Sequence, residues 1–302
     1  MTIAPDDLAV EALRALTAGN EVVRDGTGRE VGTLNDVTVR RALLAGGDPA
    51  TLRVAAVLDD APLVDPGARP AATVVVMAGG RGERLRPLTD HLPKPLLAVG
   101  RTTILERLLE RLFESGFSDV FLAVNYMAEK IETAIGNGAR FGMRVRYLHE
   151  EEPLHTAGAL SLLPERPAGP VVVLNADQVT QLSFARMVDY HVVEDAAITM
   201  GVFFHEEQVR YGVVDLDGNA VTGVREKPTL RWPCNAGFYV VDPAMLDLVP
   251  PGTRYGMDEL TNAALTAGKK VVAFPIVETW LDIGNFDDLN NALMWFVTGE
   301  EL

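Results

Sequence analysis

One short stretch of the sequence concentrates glycines and basic residues directly after an apolar run, residues 73–77. The stretch contains Gly79, Gly80, Arg81, Gly82, Arg84, Arg86 and Lys94. Glycines that follow a strand let backbone N–H groups approach an anion without a Cβ in the way. Guanidinium and ammonium groups both match phosphate oxygens, so the stretch predicts a binding site for a polyphosphate.

Two common glycine-rich phosphate sites do not fit this spacing. A P-loop ends in Gly-Lys-Ser/Thr, whereas Gly82 is followed by Glu83. A dinucleotide-binding fingerprint needs a third glycine three residues after the second, where this sequence has Leu85. The glycines alone would also suit a tight turn with solvated arginines. The Pro-Lys-Pro segment around Lys94 favours the phosphate site.

The glycine loop and the Pro-Lys-Pro segment together resemble the signature of the sugar-1-phosphate nucleotidyltransferases, the family that includes mannose-1-phosphate guanylyltransferase. The likeness runs from about residue 73 to residue 286. It implies that the loop wraps a nucleoside triphosphate, that Arg84 neutralises the departing pyrophosphate, and that Lys94 contacts the phosphates. The loop residues implied to bind nucleotide are Ala78, Gly79, Gly80 and Gly82. Glu83 departs from the family's Thr or Ser, and we expect its carboxylate to point outward.

Two aspartates, Asp177 and Asp282, follow apolar runs that are far apart in the sequence. Nucleotidyl transfer brings two anions together, which requires Mg²⁺ held by one or two carboxylates and substrate phosphates. Either aspartate alone would equally suit a helix cap or a turn. The resemblance implies that both are metal ligands, with Ala176 in place of the family's usual glycine.

The segment 150–159 resembles the part of the family that reads the base. Glu150 stands where members that use uridine or thymidine tend to carry Gln. A carboxylate only accepts hydrogen bonds; guanine offers adjacent N1–H and N2–H₂ donors, whereas uracil has one donor between two acceptors. GTP is therefore favoured and adenine disfavoured. The resemblance implies that Glu150, Thr156 and Gly158 are nucleotide-binding residues. His155 departs from the family's glycine.

Two later motifs, residues 224–228 and 235–239, resemble the family's sugar-binding segments. The resemblance implies that Glu226 accepts hydrogen bonds from sugar hydroxyls, that Lys227 meets the sugar phosphate, and that Asn235 binds a further hydroxyl. The complete set of substrate-binding residues implied in this way is Asn175, Glu226, Asn235 and Gly237.

These motifs together predict an enzyme that makes a nucleotide sugar and pyrophosphate from a nucleoside triphosphate, with GTP favoured, and a sugar or sugar-like 1-phosphate. The predicted catalytic residues are Arg84, Lys94, Asp177 and Lys227. A uridylyl- or thymidylyltransferase of the same family remains an alternative, as does a non-catalytic regulatory protein that binds nucleotide sugars. The pair of aspartates argues against the regulatory protein, because a pure binder has no need of two metal ligands.

From residue 73 onward, apolar runs of strand length alternate with segments of helical periodicity. This alternation predicts an α/β fold with a doubly wound, mostly parallel sheet. The resemblance specifies the Rossmann-like type of the nucleotide-diphospho-sugar transferases. In such sheets ligands bind beyond the carboxyl ends of the strands, which is where the glycine loop and Asp177 are expected.

Residues 1–68 predict a separate small α+β module, joined by a Pro/Gly-rich linker at 65–70 to a catalytic domain of residues 69–302. Residues 22–46 resemble half of a cystathionine-beta-synthase (CBS) module, with two strands around an Asp-Gly turn and a helix capped by Asp36. Such modules work in pairs, so a lone half is expected to serve packing or dimerisation, and a homodimer is predicted.

The composition narrows the class of protein. The chain has 302 residues and a formal net charge of -15, which disfavours nucleic acid and anionic membrane as partners. Its start lacks a basic and apolar signal-like segment, and it has a single cysteine, Cys234. We therefore expect a cytoplasmic protein in a reducing compartment.

Overall fold

The computed structural model describes residues 3–16, 20–59 and 71–298 of the chain, so the predicted linker at 65–70 lies outside the described residues. The helices are α1 (Ala9–Ala15), α2 (Asp36–Leu44), α3 (Ile104–Glu114), α4 (Ala128–Ile135), α5 (His155–Gly158), α6 (Phe184–Val193), α7 (Met257–Thr266) and α8 (Phe286–Thr298). The strands are β1 (Asn20–Arg24), β2 (Glu30–Asn35), β3 (Leu58–Asp59), β4 (Thr73–Met77), β5 (Ala98–Val99), β6 (Thr102–Thr103), β7 (Asp119–Val124), β8 (Arg144–His149), β9 (Val171–Asn175), β10 (Gln178–Thr180), β11 (Ile198–Gln208), β12 (Val213–Asp217), β13 (Ala220–Arg225), β14 (Thr229–Val241), β15 (Val271–Pro275) and β16 (Trp280–Asp282).

A seven-stranded sheet with the order β15-β11-β14-β9-β4-β7-β8 forms the centre of the molecule. Neighbouring strands are parallel except at β14, which runs antiparallel to both β11 and β9. The predicted mostly parallel sheet is therefore confirmed.

Both faces of the sheet are covered, as continuous apolar strands require. In β4, the side chains of Val74 and Val76 belong to one apolar cluster together with residues of α3, α4 and α6. Val75 belongs to a second cluster on the other face, which includes residues of α7. All three valines are fully buried. The predicted doubly wound arrangement follows from this division.

Strand pairing brings distant segments together at one edge of the sheet. Strands β4 and β9 are parallel neighbours, and Met77 pairs with Asn175 at their carboxyl ends. The glycine loop after β4 and the Asp177 segment after β9 consequently begin side by side. A short antiparallel ladder then pairs β10 with β16, and Gln178 lies opposite Asp282.

The amino-terminal residues form a small α+β unit with an antiparallel sheet of order β1-β2-β3 and the helices α1 and α2. The predicted helix from Asp36 is present, but its cap is different. Asn35 is the N-cap, and its Oδ1 accepts a hydrogen bond from the backbone N–H of Val37 at 2.8 Å. Asp36 instead accepts hydrogen bonds from Arg40, which lies one turn further along α2.

The amino-terminal unit packs directly against the rest of the chain. Val37 of α2 belongs to the apolar core that lies on one face of the central sheet. Arg186 of α6 donates a hydrogen bond to the carbonyl of Leu13 at 2.9 Å, and Arg14 donates to the carbonyl of Val277 at 2.8 Å. In the part of the chain that the structure describes, no helix is long and apolar enough to span a membrane.

Candidate active site

Gly82 allows the loop after β4 to lie against the stem of Lys94. Its backbone is left-handed, with φ of 61°, and a Cβ at this position would lie 2.9 Å from Cβ of Lys94 and 3.1 Å from Cγ2 of Thr89. The Thr89 hydroxyl donates to the Gly82 carbonyl at 2.9 Å and fixes the turn. A larger residue would separate the loop from the lysine.

Lys94 and Asp177 form an ion pair, with Nζ of the lysine 2.6 Å from Oδ2 of the aspartate. The Lys94 side chain is only 8% exposed, whereas that of Asp177 is 31% exposed. The other carboxylate oxygen of Asp177, Oδ1, is buried and has no hydrogen-bond partner among the described residues. A buried acceptor without a donor is costly, so this oxygen is available to a ligand.

A cavity of about 570 Å³ opens beyond the carboxyl ends of β4 and β9. The predicted site residues that line it are Ala78, Gly79, Gly80, Gly82, Arg84, Lys94, Glu150, Thr156, Asn175 and Asp177. Glu83, which we expected to point outward, is exposed but borders the same cavity, because it begins the short 3-10 helix that carries Arg84. His155 and Gly284 also line it.

Only two of the four clustered cations line this cavity, Arg84 and Lys94. The Arg84 guanidinium lies close to Gly284, where a Cβ would be 3.2 Å from Nη1. Arg86 is exposed and pairs with Asp90 at 3.4 Å. Arg81 is exposed and its guanidinium carbon lies 5.9 Å from the ring centroid of Tyr126.

A second cavity of about 510 Å³ adjoins the first. The two share Arg84, Thr156, Asn175 and Asp177 as lining residues. Three other predicted residues line the second cavity but not the first, namely Asn235, Gly237 and Asp282. A triphosphate in the first cavity and a second anionic substrate in the second would therefore meet at Arg84 and Asp177.

The two aspartates meet through the ladder between β10 and β16. Gln178 pairs with Asp282, and the backbone N–H of Ile283 donates to the carbonyl of Asp177 at 3.1 Å. Burial and the neighbouring Asp177 carboxylate raise the pKa of Asp282, although Lys94 and Arg84 oppose this effect. Two carboxylates held together against mutual repulsion, one with a buried free oxygen, fit a divalent cation that takes its remaining ligands from phosphates. Within the described residues no cluster of three or more acidic, histidine or cysteine side chains forms a metal site.

Glu150 presents one carboxylate oxygen to the first cavity and uses the other to hold its own loop. Oε2 accepts a hydrogen bond from the backbone N–H of Leu154 at 2.7 Å. Oε1 lies 3.1 Å from the position that a Cβ on Gly79 would occupy. Burial raises the pKa of this carboxyl, and the Leu154 hydrogen bond partly opposes the rise. The glycine thus makes room for the free oxygen at the cavity wall.

The segment 253–257 packs against the predicted base-binding segment 150–159. Thr156 accepts a hydrogen bond from the backbone of Met257 at 3.0 Å. Gly158 is buried and lines neither cavity; a Cβ there would lie 2.4 Å from the carbonyl of Thr253. The backbone of segment 253–257 therefore lies so close to Gly158 that no side chain fits at this position.

In the second cavity, Gly237 interrupts the regular pairing of β14. Its φ is 74°, and a Cβ would lie 2.5 Å from Nδ2 of Asn175. Asn235 accepts a hydrogen bond from the backbone of Gly237 at 2.9 Å and donates to the hydroxyl of Tyr239. These contacts hold the two asparagines and the tyrosine at one cavity wall.

Glu226 and Lys227, the other predicted sugar-binding residues, are exposed and line neither cavity. They follow the exposed hairpin of β12 and β13, and the backbone of Val209 donates to the carbonyl of Pro228 at 3.0 Å. Lys227 has a left-handed backbone, with φ of 45°. Their roles in substrate binding stay predictions, since both belong to the hairpin base in this structure.

Several residues of the second cavity were not predicted from sequence, notably Gln178, Asp258 and Trp280. Gln178 is 4% exposed, and its Oε1 and the indole Nε1 of Trp280 have no hydrogen-bond partner within the described residues. Gln178 directly follows Asp177 and Trp280 lies two residues before Asp282, so proximity to each aspartate was the available signal. Nothing in the sequence pointed to Asp258, which arrives from α7.

Comparison with known proteins decides the family. The sequence profile described as nucleotidyl transferase matches residues 73–297. The chain belongs to the nucleotidyl transferase family. Over 74% of its length, this nucleotidyl transferase is 31% identical to the mannose-1-phosphate guanyltransferase of Debaryomyces hansenii and 32% identical to that of Candida albicans. It spans only 64% of the length of these relatives. The crystal structure of HddC from Yersinia pseudotuberculosis superimposes with a TM-score of 0.59 and 25% identity, covering 74% of this chain and 99% of HddC.

Proposed function

We propose that this nucleotidyl transferase joins GTP to a sugar or sugar-like 1-phosphate and releases pyrophosphate. The observation that carries the proposal is the pair of adjoining cavities that share Arg84 and Asp177. The first is walled by the glycine loop and Glu150, and the second by polar groups suited to a sugar. The names of the relatives, mannose-1-phosphate guanyltransferase, support the same reaction.

The reaction needs two anions to be held in line. An oxygen of the sugar phosphate forms a bond to the α-phosphorus of GTP, while the bond from that phosphorus to the bridging oxygen of pyrophosphate breaks. Lys94 neutralises charge on the nucleotide phosphates, and Arg84 steadies the pyrophosphate as it leaves. The sugar phosphate is itself the nucleophile, so the chain supplies position and charge and no covalent intermediate.

Glu150 gives the proposed site its preference for guanine. Its free oxygen accepts hydrogen bonds, and guanine offers two adjacent donors on the Watson–Crick edge. Oε2 is occupied by the backbone of Leu154, so Oε1 is the oxygen that meets the base.

Asp177 and Asp282 are the residues that would hold Mg²⁺ in this site. When bound, the ion would offset the repulsion between the two substrates. Asp177 keeps Oδ1 unpaired for that purpose, while its Oδ2 orients the ammonium group of Lys94.

Pyrophosphate release from GTP in the presence of Mg²⁺ and a panel of sugar 1-phosphates tests the proposal. We expect release that depends on the sugar phosphate, together with a GDP-linked product. Asp177→Asn should abolish turnover without loss of the fold, whereas the exposed Asp217→Asn should leave it unchanged. Release by Asp177→Asn near the parent rate would remove Asp177 from this role.

Parallel reactions with UTP and dTTP distinguish the uridylyl- and thymidylyltransferase alternatives. Faster turnover with either would overturn the guanine assignment while leaving the class of reaction intact. Binding of GDP-sugars without any pyrophosphate release would favour the regulatory protein. Equilibrium sedimentation of the same preparation tests the homodimer that the amino-terminal half-module predicts.

A further inference from the structure

His155, an exposed residue that lines the first cavity, has an unusual backbone conformation. Its φ is 62°, in the left-handed region that residues other than glycine seldom occupy. It stands where the family's signature has glycine, which adopts this conformation freely. Strain of this kind persists where the surrounding structure enforces it and recurs at ligand sites. Here the preceding residue, Leu154, is held by two hydrogen bonds. Its backbone N–H donates to Glu150, and its carbonyl accepts from the backbone N–H of Tyr255.

The neighbouring Arg254 selects the tautomer of the neutral imidazole. Its Nε donates a hydrogen bond to Nε2 of His155 at 2.7 Å. An arginine Nε can only donate, so Nε2 of the histidine is the acceptor and the ring carries its proton on Nδ1. Within the described residues nothing hydrogen-bonds Nδ1, which leaves an oriented N–H donor on a ring that lines the cavity.

We infer that His155 is a specificity-determining residue whose Nδ1–H donates to O6 of guanine, with Arg254 as its positioning residue. The inference rests on the proposed function and deepens it. Glu150 and His155 belong to one loop and line one cavity, and they offer opposite chemistry. The carboxylate meets the N1–H and N2–H₂ donors of guanine, and the imidazole meets the adjacent O6 acceptor. Adenine carries an amino donor at that position, so a donor on the protein opposes it.

Substitution by Asn and Asp provides a matched test. Both residues tolerate a left-handed backbone, and their terminal atoms occupy the place of Nδ1. Asparagine keeps an N–H donor, whereas aspartate offers only acceptors. The test measures the GTP-to-ATP ratio of kcat/KM, together with the GMP-to-AMP ratio of binding constants by calorimetry. These ratios cancel any general effect of the added charge on phosphate binding.

We expect His155→Asn to retain the parent ratios within about threefold. His155→Asp should lower them at least about tenfold, because it replaces the donor that faces O6 by an acceptor and leaves both oxygens without a hydrogen bond. Arg254→Met should lower the ratios about threefold, since the imidazole can then present either tautomer to the base. Asp195→Asn is the control: Asp195 also has a left-handed backbone, with φ of 47°, but lines neither cavity, and its ratios should not change.

Equal ratios in the parent, His155→Asn and His155→Asp would overturn the inference, and so would a parent that does not prefer GMP to AMP. The binding measurement separates this failure from that of the proposed function. If substitutions of His155 change the guanine preference but no transfer to a sugar phosphate occurs, the inference holds and the proposed reaction is wrong. If transfer to a sugar phosphate occurs but the ratios do not depend on His155, the proposed reaction holds and the inference is wrong.

Discussion

Single side chains define what the candidate site can do before any substrate arrives. Lys94 is almost fully buried, and its ammonium group is compensated by one oxygen of Asp177 at 2.6 Å. The pair keeps a charged lysine in place beneath the glycine loop, where an unpaired one would be costly. A triphosphate would then meet a cation whose position is already fixed, which lowers the entropy lost on binding.

Replacing Lys94 by alanine should reduce kcat/KM at least about tenfold, since one charge-assisted contact to a phosphate contributes roughly 1.5 to 3 kcal/mol. Pyrophosphate release at varied GTP measures the change. Arg86→Ala is the control, because Arg86 belongs to the same stretch but is exposed and pairs with Asp90. A comparable loss in both variants would show a general charge effect and contradict the specific role of Lys94.

His191 makes the stability of the fold dependent on pH. Burial lowers the pKa of its imidazole to about 4, against the smaller opposing effect of Asp242 and Asp195. Nδ1 lies 2.9 Å from the hydroxyl of Thr199. Because the unfolded chain takes up this proton first, the stabilisation is complete above about pH 6.5 and is lost progressively as the pH falls towards about 4.

Urea unfolding at pH 7.5 and pH 5 measures this effect. His191 alone should contribute up to about 3 kcal/mol of loss across its full range, and roughly half of it by pH 5. His191→Gln, which cannot titrate, should show a smaller difference between the two pH values than the parent. His149→Gln, at an exposed histidine, should keep the parent's difference. The same pH response in the parent and His191→Gln would refute the assignment.

At the scale of elements, the antiparallel strand β14 shapes the second cavity. Gly237 departs from the strand conformation, and the register between β11 and β14 shifts between Met200 and Val202. The irregularity brings Gly237 against Asn175 at the end of β9. An irregularity in the middle of β14 thus places Asn235 of this strand and Asn175 of β9 at one wall of the second cavity.

Gly237→Ala should destabilise the protein by about 1–2 kcal/mol for the left-handed backbone alone, with a further loss from the 2.5 Å approach to Asn175. It should also raise KM for the sugar phosphate, because Asn175 must move. Gly218→Ala is the matched control: its φ is 60°, but nothing lies within 4 Å of the added Cβ. Urea unfolding and KM are measured for both, and an unchanged KM in Gly237→Ala would contradict its place in the site.

At the scale of the whole molecule, a buried ion cluster joins the amino-terminal unit to the segment that carries Asp282. Arg40 of α2 is fully buried and bonds Asp36 and Glu278, each at 2.7 Å. Its guanidinium also donates to the carbonyl of Pro275 and lies 3.9 Å from the ring centroid of Phe274. Glu278 lies four residues before Asp282, so the amino-terminal unit supports one side of the site.

Replacing Arg40 by methionine should destabilise the protein by about 3–5 kcal/mol, because it leaves the buried Glu278 without its cation and Asp36 with only the more distant Arg186, at 3.6 Å. Arg41→Met on the same helix should cost at most about 1 kcal/mol, since that side chain is 54% exposed and pairs with Glu194 at the surface. Thermal unfolding compares the two variants. A smaller loss in Arg40→Met than in Arg41→Met would show that the cluster does not hold the two parts together.

The class of fold and the glycine loop beside Lys94 could be predicted from the sequence, because the patterns that indicate them are local in the chain. Buried parallel strands are apolar throughout, and the conformation that Gly82 requires is a property of the residue type. The α/β sheet follows from these apolar strands, and the contact between Lys94 and the loop follows from the conformation of Gly82. The sequence predicts Asp36 as the cap of α2, one residue after the actual N-cap, Asn35, because both residue types suit a cap. Asp36 instead accepts hydrogen bonds from Arg40.

Which distant groups meet depends on the tertiary structure. The ladder between β10 and β16 brings Asp177 and Asp282 together, although they lie more than a hundred residues apart. Asp258 lines the second cavity from α7, and Arg254 donates a hydrogen bond to His155, which is distant in the sequence. No local sequence pattern predicts either contact. Contacts of this kind depend on how strands pair and helices pack, and those arrangements are set by the burial of the whole core.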